Sequence, residues 1–130
     1  MNKIEELVKT GDYYTRINDF PNAIKFLEKA NKLSKNNINI LLYLAGAYRS
    51  LGKFDKSINL YYEIIKLDHK NTTAHRLISS LTNYKKNKEH LSKMEELVKN
   101  EKLEKDEYIN LYFALGKAYS DVEDYENSFK

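Results

Sequence analysis

LAGAYRSLGKFDKSINLYY occupies residues 44–62. Within it a small residue, a tyrosine, a glycine, an aromatic and a second small residue stand at Ala45, Tyr48, Gly52, Phe54 and Ser57. The same order recurs in TGDYYTRINDFPNAIKFLEKA (10–30) and in LGKAYSDVEDYENSFK (115–130). Gly11, Ala45 and Gly116 correspond, as do Tyr14, Tyr48 and Tyr119, then Phe20, Phe54 and Tyr125, then Ala23, Ser57 and Ser128. The first step is 34 residues at every one of these positions. A fixed period of that size is the mark of stacked supersecondary units.

Between these marks the apolar spacing is helical. Leu41, Leu44, Ala45 and Tyr48 run i, i+3, i+4, i+7, and Ile58, Tyr61, Ile64 and Ile65 follow nearly the same pattern. Alternation of period two is absent. LSKNN (33–37) and LDHKN (67–71) each end in an asparagine suited to cap the next helix. Each unit therefore reads as two amphipathic helices joined by a tight turn. Gly11, Ala45 and Gly116 let the second helix approach the first, because a larger side chain would hold the axes apart. Tyr14, Tyr48 and Tyr119 fill the wedge toward the next unit, and Ala23, Ser57 and Ser128 are small for close packing. Gly52 permits the turn, a place taken by Asn18 and Glu123 elsewhere; asparagine tolerates positive φ and glutamate less so. Phe20, Phe54 and Tyr125 are expected to anchor the start of each second helix, with Pro21 in a first turn that does not need its N–H. Full burial of one such aromatic contributes about 1.5–3 kcal/mol.

This pattern resembles the tetratricopeptide repeat, a helix–turn–helix unit of about 34 residues. The resemblance runs from Ile4 to the end, with units at 4–37, 38–71, 72–108 and 109–130 in a single array over 1–130. It implies an all-α fold, a right-handed α-solenoid of antiparallel helix–turn–helix hairpins. Unit three departs from the pattern, with Ser79, Thr82, Lys86, Lys88, Leu91 and Glu95 at the signature positions. It is also longer, since Tyr48 and Tyr119 lie 71 rather than 68 residues apart. Leu77, Ile78 and Leu81, then Leu91, Met94, Leu97 and Val98, still form two helical stripes. The extra residues are expected in NEKLEKD (100–106), with Asp106 capping the next helix, and this unit is expected to open most readily. Unit four stops after about six residues of its second helix, short of the ~12–15 needed in isolation. Tyr112, Leu115, Tyr119 and Phe129 would then be incompletely covered, so the expectation is a fragment of a longer repeat protein, or an end completed by another copy.

Composition narrows the function. Net charge is +3, and of the 22 basic residues 19 are lysine and three arginine. Acidic residues are interspersed nearly throughout, and the longest basic cluster is KKNK at 85–88. A nucleic-acid binder would show a denser basic stripe, so no nucleic-acid partner is expected. No apolar run approaches the ~20 residues that cross a bilayer, and MNKIEELVKTGDYY is too charged for a signal peptide. The expectation is a cytoplasmic protein with no membrane partner. There is no cysteine, hence no disulfide or Cys-based zinc site. His69, His75 and His90 lack the i, i+4 pairing of a helical metal site, the four glycines form no phosphate loop, and Glu5–Glu6 and Glu95–Glu96 point to different helix faces. No catalytic residue, metal site or cofactor is expected, and the chain reads as no enzyme in itself.

The resemblance implies a concave groove lined by the first helices, in which a peptide or protein segment binds. Projected onto this chain, the candidate residues are Lys9, Asp12, Arg16, Asn39, Tyr43, Arg49, Arg76, Asn83, Tyr84 and Lys117. Ser80, Asn110, Phe113, Ala114 and Asp121 fall on the same projection. All three arginines are included, and a guanidinium offers a fixed bidentate fork for carboxylates. An acidic segment is therefore expected, with Tyr43 and Tyr84 as rigid anchors. The carboxylate clamp of chaperone-tail-binding members would fall on Val8, Asp12, Tyr43, Thr73 and Leu77, none of which matches. Two alternatives accompany this reading. One is the repeat portion of a larger enzyme (glycosyltransferase-, sulfotransferase- or prolyl-isomerase-like) with its catalytic domain beyond Lys130. The other is an array that self-associates through its open C-terminal end.

Overall fold

The computed structural model describes residues 2–122. Among them the chain forms seven α-helices and no strand: α1 (Lys3–Arg16), α2 (Phe20–Leu33), α3 (Ile38–Ser50), α4 (Phe54–Leu67), α5 (Thr72–Leu81), α6 (Glu89–Asn100) and α7 (Lys105–Asp121). Two compact units result, Met1–His69 and Lys70–Lys130. Glu123, Tyr125, Ser128 and Phe129, and with them the second helix expected after α7, lie outside the described residues.

The turns of the first unit follow directly from Asn18 and Gly52. Their φ values are 61° and 77°. Asp19 N–H donates to Tyr14 O at 2.8 Å, and Asn18 N–H donates to Thr15 O. Lys53 N–H donates to Tyr48 O at 2.9 Å, and Gly52 N–H donates to Arg49 O. Two helices thus end in the same left-handed cap, 34 residues apart, with the last carbonyls satisfied. A Cβ at Gly52 would meet nothing within 4 Å, so Gly52→Ala should cost only the left-handed backbone conformation, about 1–2 kcal/mol, read as a lowered urea midpoint. The next helices are capped as expected. Asn37 Oδ1 accepts the N–H groups of Asn39 and Ile40, and Asn71 Oδ1 accepts that of Ala74.

In the first unit α1 packs on α2, α2 on α3 and α3 on α4. Leu7, Ala23, Leu27, Ala30, Ile40 and Leu44 make its core, with Tyr14 and Tyr48 packed against it. The notch at Gly11 is occupied: a Cβ there would stand 2.7 Å from Leu27 Cγ. Ser57 is small enough to bury its hydroxyl, which donates to Ala45 O at 2.8 Å. Phe54 corrects an expectation, since it is 52% exposed and does not anchor α4 in the core. Gly116 has open space around it among the described residues.

The second unit is built differently. Lys86 occupies the place of Gly52 in the 34-residue register, and a lysine at positive φ is strained by about 1–2 kcal/mol. The left-handed cap is not formed. α5 ends at Leu81 and residues 82–88 connect it to α6. The Thr82 hydroxyl turns back to Ile78 O, and Tyr84 enters the core. α5 packs on α7 and α6 on α7, around Tyr84, Leu91, Met94, Leu97, Leu103, Leu111, Ala114, Leu115 and Ala118. The extra residues of NEKLEKD do not form a longer loop. Lys105, Asp106 and Glu107 are instead the first turn of α7, and Glu104 is its N-cap. Asp106 is therefore not the cap. Glu107 Oε1 accepts the Glu104 N–H at 2.7 Å, one arm of a capping box.

Candidate functional site

Helices α5 and α7 lie side by side in the second unit. Asn110 Nδ2 donates to the Thr72 hydroxyl, Ser79 Oγ to Ala114 O, and Lys117 Nζ to Thr82 O. Partners advance together along both helices, so α5 and α7 run parallel. At one end Arg76 donates to Asn110 Oδ1 at 3.2 Å and its guanidinium sits 5.1 Å from the centre of the Phe113 ring. Phe113 is 63% exposed, and Tyr112 beside it stacks on Tyr108. At the other end a cavity of about 470 Å³ is lined by Ser80, Leu81, Thr82, Asn83, Lys85, Lys117, Ser120 and Asp121. Lys117 pairs there with Asp121, and Asp121 also accepts the Tyr84 N–H. Two ammonium groups, one carboxylate and two serine hydroxyls give this cavity polar walls.

The sequence-selected residues divide accordingly. Asn83 and Lys117 meet at this cavity, and Arg76 lies exposed on the same helix pair. Ala114 and Tyr84 are corrections, because both are buried, Tyr84 completely. Tyr84 cannot serve as a groove anchor. In the first unit Lys9, Asn39 and Tyr43 are exposed, and Arg16 is tied to Asp12 by an ion pair at 3.0 Å. The Arg49 guanidinium lies against the Tyr61 hydroxyl of α4. Burial raises the Tyr61 pKa, and the neighbouring Arg49 and Ser57 offset part of the rise.

One constellation escaped the sequence reading. His75 Nδ1 lies 2.8 Å from His90 Nε2, and His90 Nδ1 lies 2.6 Å from the Tyr84 hydroxyl. All three residues are at most 2% exposed. Burial, then the neighbouring His75 and Lys93, push the His90 pKa down to about 3. Spacings of six and fifteen residues match no helical repeat, so the pattern gives no sign of this chain. Among the described residues no group of three His, Cys, Asp or Glu side chains could hold a metal.

Comparison with known proteins bears on the fold. Residues 18–81 match the family model described as tetratricopeptide repeat. No curated protein matches the sequence. Solved structures with a similar fold include two MamA mutants and MamA MSR-1 C2. The first mutant gives a TM-score of 0.63 at 22% identity over 78% of this chain, and this chain spans 58% of that one. The second gives 0.60 at 18% identity, covering 88% of this chain and 74% of its own. MamA MSR-1 C2 gives 0.63 at 15% identity, covering 98% and 71% respectively. These likenesses define the fold class as all-α helical repeats. No helix among the described residues is long and apolar enough to cross a membrane.

Proposed function

We propose that the chain is a non-catalytic interaction scaffold, with repeats at 4–37, 38–71, 72–108 and 109–130, that holds an acidic peptide or protein segment on its first helices. The observation that carries this reading is the parallel α5–α7 pair, with Arg76 on Phe113 at one end and the Asn83–Lys117 cavity at the other. A guanidinium already backed by an aromatic ring is held ready for a carboxylate. The cavity gives polar walls to the backbone that follows. Asp121 sets the limit on charge preference, since it neutralises Lys117 locally. Arg76 therefore carries most of the selectivity for acidic over neutral segments.

The test is a panel of matched acidic and neutral peptides titrated against the protein and against Arg76→Ala, read by fluorescence anisotropy. Loss of one charge-assisted contact is worth about 1.5–3 kcal/mol, so the acidic peptides should weaken by roughly tenfold or more while the neutral ones hardly change. Equal weakening of both sets, or none, would dispose of the carboxylate role.

A further inference from the structure

We propose that the buried Tyr84–His90–His75 chain is an acid-sensitive latch that holds the 82–88 connector and α6 onto α5, and that its protonation opens the second unit.

The latch joins three separate pieces of backbone. His75 is on α5, Tyr84 on the connector and His90 on α6. The rings of His75 and His90 stack at 5.0 Å, and those of Tyr84 and His90 at 5.9 Å. Neutral imidazole has one donor and one acceptor nitrogen, so two neutral rings and a phenol form a continuous chain in either direction. One added proton still satisfies the hydrogen bonds, with His90 donating at both nitrogens. It leaves, however, a cation inside an apolar core of Met94, Leu97, Leu111 and Ala118, which is strongly unfavourable. A second proton would set N–H against N–H across the 2.8 Å gap between the rings. Both steps disfavour the closed form.

The charged groups around the chain are of both signs, and Lys93 is the one that acts on His90. Lys93, on α6, is itself paired with Glu89 at 3.8 Å. From α7, Lys117 lies 5.6 Å from the Tyr84 ring centre, and Asp121 accepts the Tyr84 N–H. Further along α6, Glu95 accepts the Tyr119 hydroxyl of α7. The sign follows from burial. The folded His90 holds its proton far more weakly than an unfolded histidine, so closure is complete above the ordinary histidine range and weakens as pH falls through it. Asn83 and Lys85, two walls of the cavity, ride on the connector that is released. The inference does not depend on what the cavity binds.

The experiment follows the full 130-residue chain by NMR from pH 7.5 to pH 4. It records the His75 and His90 ring signals together with amide exchange corrected for its intrinsic pH dependence. Protection across residues 82–100 should fall by about tenfold or more per pH unit below the ordinary histidine range, while the ring signals stay neutral until the open form is populated, with α2 and α3 as the internal reference. His90→Gln keeps a donor and an acceptor but does not titrate, and should flatten that dependence by about tenfold per pH unit. Should that variant fail to fold, the wild-type titration decides alone. Imidazoles that protonate near the ordinary value with protection at 82–100 intact would overturn the latch. So would an unchanged pH dependence in a folded His90→Gln.

Discussion

Leu27→Ala is expected to lower the stability of the first unit by about 2–5 kcal/mol. Leu27 is wholly buried among Leu7, Ala23, Ala30, Ile40 and Leu44, so its removal loses transfer free energy and leaves a cavity. Its partner across the α1–α2 interface is Gly11, and the pair makes a sharper prediction than either residue alone. Gly11→Ala in the wild-type background gains up to about 1 kcal/mol of helix propensity. It also drives a methyl group to 2.7 Å from Leu27 Cγ and 2.8 Å from its Cδ2. Overpacking of that kind costs about 1–3 kcal/mol, so the net effect is destabilising. In the Leu27→Ala background the obstruction is gone, only the propensity gain remains, and Gly11→Ala should become stabilising. The two substitutions are thus expected to couple, with a change of sign that urea denaturation of the four proteins would measure. Additive effects within about 0.5 kcal/mol would mean that Gly11 is not a packing notch.

The same contrast explains what was legible in the sequence. Gly11, Ala23, Ala45 and Ser57 could be read because their role depends on size at a fixed period, and size is written in the residue type. Gly52 and Asn18 could be read because left-handed backbone is affordable to few residues. Phe54 was misjudged, since an aromatic at a signature position is half exposed here. In the second unit the reading failed where the register broke. Lys86 stands in place of glycine, α5 ends at Leu81 and 82–88 form a connector, so the helical projection beyond Leu81 no longer told which way a side chain faced. Asn83 stayed at the surface and Tyr84 went inside. A buried His–His–Tyr chain leaves no periodic trace. Its residues lie on three segments brought together only by packing.

Tyr84→Ala is expected to be among the most damaging single substitutions in the second unit. Tyr84 is fully buried, and truncating a buried aromatic to alanine costs about 3–5 kcal/mol. The loss has two separable parts. Tyr84→Phe keeps the ring among Leu91, Met94, Leu111 and Ala118 but removes the hydroxyl 2.6 Å from His90 Nδ1. Taking one partner from a buried hydrogen bond costs about 1–3 kcal/mol, so Tyr84→Phe should fall between wild type and Tyr84→Ala. The ring also receives the Lys117 ammonium at 5.6 Å, a contact that phenylalanine preserves. Measured by urea unfolding at pH 7.5, the order should be wild type, Tyr84→Phe, Tyr84→Ala. An exposed binding anchor would behave in the opposite way, leaving the unfolding midpoint unmoved while peptide affinity fell. Stability loss without that dissociation from binding is therefore the result that separates a core tyrosine from a surface one. An unchanged midpoint for Tyr84→Ala would remove the basis for the whole buried chain.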